Sequence, residues 1–139
     1  TGGDLFTRAN IYLIAVGDAG RSGPEIGCDD SLVPVEIEIE PTIAPLTAAL
    51  ERLLALDVTD YGQSGLYNAL APSDLAVQGI DIENGTATLA LTGELLVGGV
   101  CDNPRVEAQL RQTALQYTTV DSVEITVNGT PLEQLLSGQ

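Results

Sequence analysis

Apolar and polar positions alternate with period two over residues 33–40. Val33, Val35, Ile37 and Ile39 share one side, and Glu36, Glu38 and Glu40 share the other. This pattern predicts a half-buried strand whose outward glutamates oppose edge-to-edge pairing at a sheet margin. Before it, residues 10–16 (Asn-Ile-Tyr-Leu-Ile-Ala-Val) are apolar on both sides, as in a central strand covered on both faces. Residues 1–9 read as a flexible lead-in and residues 17–27 as a glycine-rich loop. Pro41 ends the alternation, and the period changes. Leu46, Ala49, Leu50, Leu53 and Leu54 recur at spacings of three and four, with Glu51 and Arg52 outside the stripe. A helix is expected from Pro45 to about residue 56.

Residues 57–65 are polar and read as a loop, and residues 66–70 as a short helical turn stopped by Pro72. A strand follows over residues 75–83, with a bulge at Gly79 where the apolar parity shifts. Asn84-Gly85 is a two-residue hairpin signal. Residues 86–92 return with Ala87, Leu89 and Leu91 inward. Gly98-Gly99 interrupts the chain, and Asn103 is expected to cap a second helix with Pro104 in its first turn. Val106, Leu110, Thr113, Ala114 and Tyr117 form that helix's apolar face. Val123, Ile125 and Val127 alternate in a last strand, Asn128-Gly129 turns it, and residues 131–136 make a short helix. Two helices of this length need a sheet to bury their stripes. The predicted fold class is α/β (α+β): a mixed sheet of about five strands with two main helices packed mostly on one face. Residues 10–139 then form a single domain.

Composition narrows the function classes. Twenty Asp and Glu face five Arg, with no Lys and no His, for a net charge of −15. Such a chain repels nucleic acid and anionic membrane surfaces. Without His or Lys, a His-based triad, Schiff-base chemistry and a Ser-Lys pair are excluded, and no phosphate-binding loop is present. Cys28 and Cys101 are the only cysteines, too few thiolates for a zinc site in a chain without His. A structural disulfide is the expectation. Two free thiols are one alternative; a reactive Cys101 ahead of a helix start is the other. No apolar run is long enough to cross a bilayer. The chain starts Thr1-Gly2-Gly3 and lacks Met, which predicts a trimmed or processed chain that has lost a signal peptide or lipid anchor.

Three local features carry candidate chemistry. The segment from Asp18 through Glu25 to Asp29 and Asp30 spaces oxygen ligands with glycines, a faint calcium-loop pattern set against a plain acidic loop. It motivates a cation (calcium)-dependent binding module as an alternative function. The abundance of acids leaves a weak carbohydrate-active hydrolase as a second alternative. Tyr61, Leu66 and Tyr67 flank the loop after the first helix and form a candidate partner patch, set against packing at the edge of the core.

Over residues 33–136 the chain resembles the GerMN domain of sporulation and spore-germination proteins. The resemblance rests on four pieces in order. They are Val33-Pro34-Val35 ahead of the Leu-rich helix with Leu46, Leu50, Leu53 and Leu54; Gly65-Leu66-Tyr67-Asn68 leading to Leu75, Ile80 and Ile82; Asn84-Gly85-Thr86-Ala87 before Leu89 and Leu91; and Val106 to Leu115, followed by Val120, Val123, Ile125, Val127 and Gly129. Cys28 and Cys101 stand outside the family's general pattern. The resemblance implies a non-catalytic, extracytoplasmic interaction or scaffold domain of the bacterial cell envelope. Its role would lie in sporulation, in germination or in general envelope biology. It implies no cofactor and no catalytic residue. The expected partner is a protein or cell-envelope component, not nucleic acid. The domain is then secreted or lipid-anchored at the cell surface, touching membrane only through a removed N-terminal anchor.

Overall fold

The alternating segment becomes the longest strand of a computed structural model that describes residues 6–56, 60–61, 66–96 and 101–137. The elements run β1 (Phe6–Ala15), β2 (Glu25–Ile26), β3 (Asp30–Thr42), α1 (Pro45–Ala55), β4 (Asp60–Tyr61) and β5 (Leu66–Tyr67). The second half holds β6 (Asp74–Glu83), β7 (Thr86–Glu94), α2 (Asp102–Leu115), β8 (Ser122–Val127), β9 (Thr130–Pro131) and α3 (Leu132–Ser137). A single 3-10 turn, Gly27–Asp29, links β2 to β3.

Two sheets form where the sequence predicts one. The first has the order β2-β3-β1-β5-β4 and the second β6-β7-β8-β9. In the first, β1 pairs antiparallel with β3 from Phe6↔Thr42 to Ala15↔Ser31. β2 covers only Asp30 and Ser31 of β3, so the rest of that strand forms a sheet edge among the described residues. Its glutamates are exposed there, and Arg52 Nη1 donates to the Glu38 carbonyl at 2.8 Å. Charged side chains and an occupied carbonyl both discourage strand addition.

The second sheet is mixed. β6 and β7 form the Asn84-Gly85 hairpin, with the register shifting between Val77 and Gly79. Asn84 and Gly85 have φ of 53° and 83°, the left-handed pair that a tight hairpin turn requires. β7 and β8 run parallel, and α2 makes the crossover between them, as parallel strands demand.

The two long helices lie between the sheets. α1 contacts β1 and β3 on one side and β6 on the other, while α2 contacts β1 and β8. The main core joins Ile11 and Leu13 of β1, Leu46, Leu50 and Leu53 of α1, and Val106, Leu110 and Ala114 of α2 to Leu89, Leu91 and Ile125 of the second sheet. A satellite cluster joins Ala49 to Ala9 and Ile39. Helices buried on two sides explain the second sheet: a stripe widened by Ala49 has apolar surface for both layers. Leu50 is fully buried, so Leu50→Ala should cost about 3 kcal/mol in denaturant unfolding. Glu51→Ala, on the exposed side, should cost under about 0.5 kcal/mol. The reverse ranking would refute the helix phase.

Three local expectations are corrected. Residues 6–9 are strand, not lead-in, because Ala9 is buried against Ile39 and α1. Residues 66–70 are not helical: Leu66 and Tyr67 pair with Tyr61 and Asp60, and Tyr67 also with Ile14. Asn103 does not cap α2, which starts one residue earlier. Its amide instead donates to the Leu136 carbonyl at 3.1 Å and ties α2 to α3. The expected break at residues 98–99 lies outside the described residues.

Candidate functional site

Cys28 and Cys101 are joined, with an S–S distance of 2.15 Å and a Cα–Cα distance of 5.9 Å. The bridge fastens the turn before β3 to the start of α2. Cys28 and Asp29 sit at φ of 63° and 62°, a left-handed backbone uncommon for Cys and better tolerated by Asp.

The residues following each cysteine build a polar cluster. Asp30 is fully buried and Asp102 nearly so. Arg105, one turn into α2, donates from Nε to Asp30 at 2.6 Å and from Nη1 to Asp102 at 2.8 Å. The other Asp30 oxygen accepts from the Gly17 amide at 2.9 Å. The Tyr67 hydroxyl donates to the Asp102 carboxylate at 3.0 Å, and the Arg105 guanidinium lies 5.1 Å from the Tyr67 ring centroid. The hydrogen bond to Asp30 raises the Arg105 pKa, and burial, helped by the bond to Asp102, raises that of Tyr67. The groups satisfy one another, so the cluster acts as a polar clamp beside the disulfide.

This clamp decides the fate of the candidate aromatic patch. Tyr67 is half-buried, with its hydroxyl bonded and its ring under a cation. Leu66 is half-buried against the core. Tyr61 contributes backbone to β4, and its side chain lies outside the described residues.

The loop with calcium-like spacing is folded onto β3 by its own hydrogen bonds. The Asp18 carboxylate accepts from the Ser22 amide and from the Ser31 hydroxyl at 2.9 Å. These bonds, the Ser22 amide first, hold its pKa below the usual 3.8. The loop contact they favour is therefore present above that value and is lost as pH falls through the lowered one. Asp30 is committed to Arg105 and Gly17. Among the described residues no three acidic side chains gather as metal ligands.

A second buried polar group joins four segments. Gln109, fully buried on α2, donates to the Tyr12 carbonyl at 2.9 Å and to Asn68 Oδ1 at 3.1 Å. It accepts from the Ala69 amide at 3.0 Å. Asn68 in turn donates to the Leu56 carbonyl, just past α1, at 2.9 Å. Gln109→Leu keeps the volume but strips partners from buried backbone groups. The expected loss is about 2–3 kcal/mol in urea unfolding, and a neutral result would refute the network.

At the opposite end of α2 the interlayer gap opens into a cleft of about 630 Å³. Its apolar walls include Phe6 from β1, Ile43 and Pro45 at the entry to α1, and Ile80 and Ile82 from β6. Ile43 is 77% exposed, Phe6 49% and Ile82 41%. Gln116 fixes the far wall: its amide accepts from the Asn10 N–H at 3.0 Å and donates to the Asn10 carbonyl at 2.8 Å. That bond pair sets Tyr117 edge-on to Phe6, with ring centroids 6.4 Å apart. The Tyr117 hydroxyl is buried without a hydrogen-bond partner, and burial pushes its pKa up to about 12. The neutral phenol is favoured in the folded state, so this contribution holds below the ordinary value of 10.0 and fades as pH rises toward about 12. Tyr117→Phe should leave stability unchanged or raise it by about 1 kcal/mol and remove the highest-pH phenolate step from an absorbance titration. A destabilised variant would reveal a hydrogen bond to this hydroxyl.

The model of the Germane family, described as sporulation and spore germination, matches residues 11–133. The fold is similar to the tandem GerMN domains of the sporulation protein GerM from Bacillus subtilis, with a TM-score of 0.63 and 20% identity. That match covers 91% of this chain and 40% of the other. It is also similar to the first GerMN domain of GerM alone, with a TM-score of 0.63 and 21% identity, covering 92% of this chain and 87% of that one. The chain thus spans less than half of the tandem protein it matches. No curated protein matches it. Among the described residues no helix is long and apolar enough to cross a membrane.

Proposed function

Because the chain belongs to the Germane family of sporulation and spore-germination domains, we propose that it is a non-catalytic interaction or scaffold domain acting outside the cytoplasmic membrane, in the cell envelope. The observation that carries this reading is the cleft. Of the five large apolar side chains exposed among the described residues, three, Phe6, Ile43 and Ile82, gather on its rim. Apolar surface gathered in a concave site marks a place where a partner or ligand docks. The walls named above bring no carboxylate, thiol or amine to the cleft, and the buried Asp30 and Asp102 are both ion-paired to Arg105. The disulfide supports an oxidising compartment, hence a secreted or surface-anchored protein.

The domain would work by presenting a rigid face. The clamp and disulfide hold one end of α2, and Gln116 holds the other, so the cleft walls keep their spacing when a partner arrives. The test is a photo-crosslinking residue at Ile43 in the protein's own host. A protein or envelope adduct is expected, lost when Ile82 becomes Asp. Turnover of a glycan or wall fragment by the purified domain, or no adduct from the cleft, would overturn the reading.

A further inference from the structure

Charge narrows what the cleft accepts. The chain carries −15, and its described arginines are largely committed within the fold. Arg105 and Arg111 are ion-paired on α2, Arg52 is bonded to the Glu38 carbonyl, and Arg8 lies 3.1 Å from Glu36. Arg8 is also the cation nearest in sequence to Phe6. Among the described residues no charged side chain lines the cleft, and the exposed Glu40 on β3 and Glu83 on β6 lie a few residues along the chain from its walls. The cleft is therefore an uncharged apolar seat in a strongly negative field. A second copy of the chain would bring another −15 to the same place, and an anionic lipid headgroup would be repelled in the same way.

Building on the interaction role proposed above, we propose that the cleft receives a basic protein segment, one in which Leu, Ile or Phe anchors are flanked by Lys or Arg. The anchors bury against Phe6, Ile43, Ile80 and Ile82, replacing water on side chains that are now exposed, and this supplies most of the affinity. The flanking cations meet the acidic field, which speeds encounter and rejects acidic competitors. Binding should weaken with added salt but persist, since the anchors are insensitive to screening.

The experiment uses the whole domain and three synthetic peptides of equal length: Lys/Leu, Glu/Leu and Lys/Ser. Binding is read by heteronuclear NMR shifts and by fluorescence polarisation. The Lys/Leu peptide should bind and shift residues of the cleft, with Ile43→Asp and Ile82→Asp each weakening it about tenfold or more. Both side chains are already solvent-exposed, so the folded spectrum of each variant should persist. Equal binding of the Lys/Ser peptide, or shifts confined to Glu36, Glu38 and Glu40, would overturn the proposal in favour of bulk charge attraction. Binding of the Glu/Leu peptide would overturn the charge argument. A dimer in sedimentation that Ile43→Asp dissociates, or co-sedimentation with anionic vesicles that Ile43→Asp abolishes, would assign the cleft to a different occupant and overturn it as well. If the peptides fail while the cleft still crosslinks a non-basic partner in the host, this inference falls and the interaction role stands. If both fail, the role falls too.

Discussion

Arg105→Leu should destabilise the domain by about 3–5 kcal/mol, the largest effect expected of any single surface-reaching side chain here. The cause is what it leaves behind. Asp30 is fully buried, and after the substitution one of its oxygens keeps only the Gly17 amide while the other loses a 2.6 Å charge-assisted bond. Asp102 loses its bond to the same guanidinium, while the Tyr67 hydroxyl stays in place. A buried carboxylate without its cation must stay charged at high cost or take up a proton. Asp30→Asn added to Arg105→Leu should restore part of the loss, because it removes the stranded charge. Urea unfolding of the single and double variants at pH 7 measures both. A loss under about 1 kcal/mol at pH 7, or no recovery in the double variant, would show that the cluster is solvated and the clamp unimportant. Arg105→Leu should leave the cleft intact in the variant that folds, since the two features lie at opposite ends of α2.

The elements that could be read along the chain are those whose signal is local. The period-two run around Ile37, the stripe from Leu46 to Leu53, the Asn84-Gly85 and Asn128-Gly129 turns and the bulge, which falls at Gln78 beside the expected Gly79, each draw on neighbours a few residues apart. Long-range pairing was not legible. β2, β4, β5 and β9 are two residues each, too short to show a period, and Leu66-Tyr67 looked helical because its partners lie at Ile14 and Asp60. The split into two sheets depends on α1 being buried on two sides, which Ala49 hints at only weakly. The order of strand and helix patterns itself carries the α+β class, and the GerMN resemblance agrees with it.

The candidate sites divide in the same way. Pairing of Cys28 with Cys101 was readable from a count of two. Their neighbours were not: Asp30, Asp102 and Arg105 look like ordinary surface charges until the disulfide folds them inward. The i,i+3 spacing of Asp102 and Arg105 directly after a cysteine is the one local hint. Gln109 falls between Val106 and Thr113 on the apolar face of α2, where a polar residue signals a buried network. The cleft had no sequence signal, because it forms where the ends of β1, α1, β6 and α2 meet. Tyr67, open in the sequence to either a partner patch or packing at the core edge, is half-buried and roofs the clamp.

Breaking the disulfide should lower stability by roughly 4 kcal/mol, given the 73-residue separation of its cysteines and the chain-entropy relation. That corresponds to a fall in Tm of roughly 15 °C for a domain of this size. The effect acts mainly on the unfolded chain, whose accessible conformations multiply once the loop is open. A second contribution acts on the native state. Cys28 and Asp29 occupy left-handed backbone angles that the bridge helps to enforce, and Asp30 follows them directly into the clamp. Loosening that turn should widen the Asp30–Arg105 contact, so Cys28→Ser and Arg105→Leu should combine to less than the sum of their separate losses. Thermal unfolding with and without reductant, repeated on a Cys28→Ser/Cys101→Ser variant, separates the two terms. Equal melting of all forms would show that the bridge contributes nothing. Strict additivity with Arg105→Leu would show that bridge and clamp are independent.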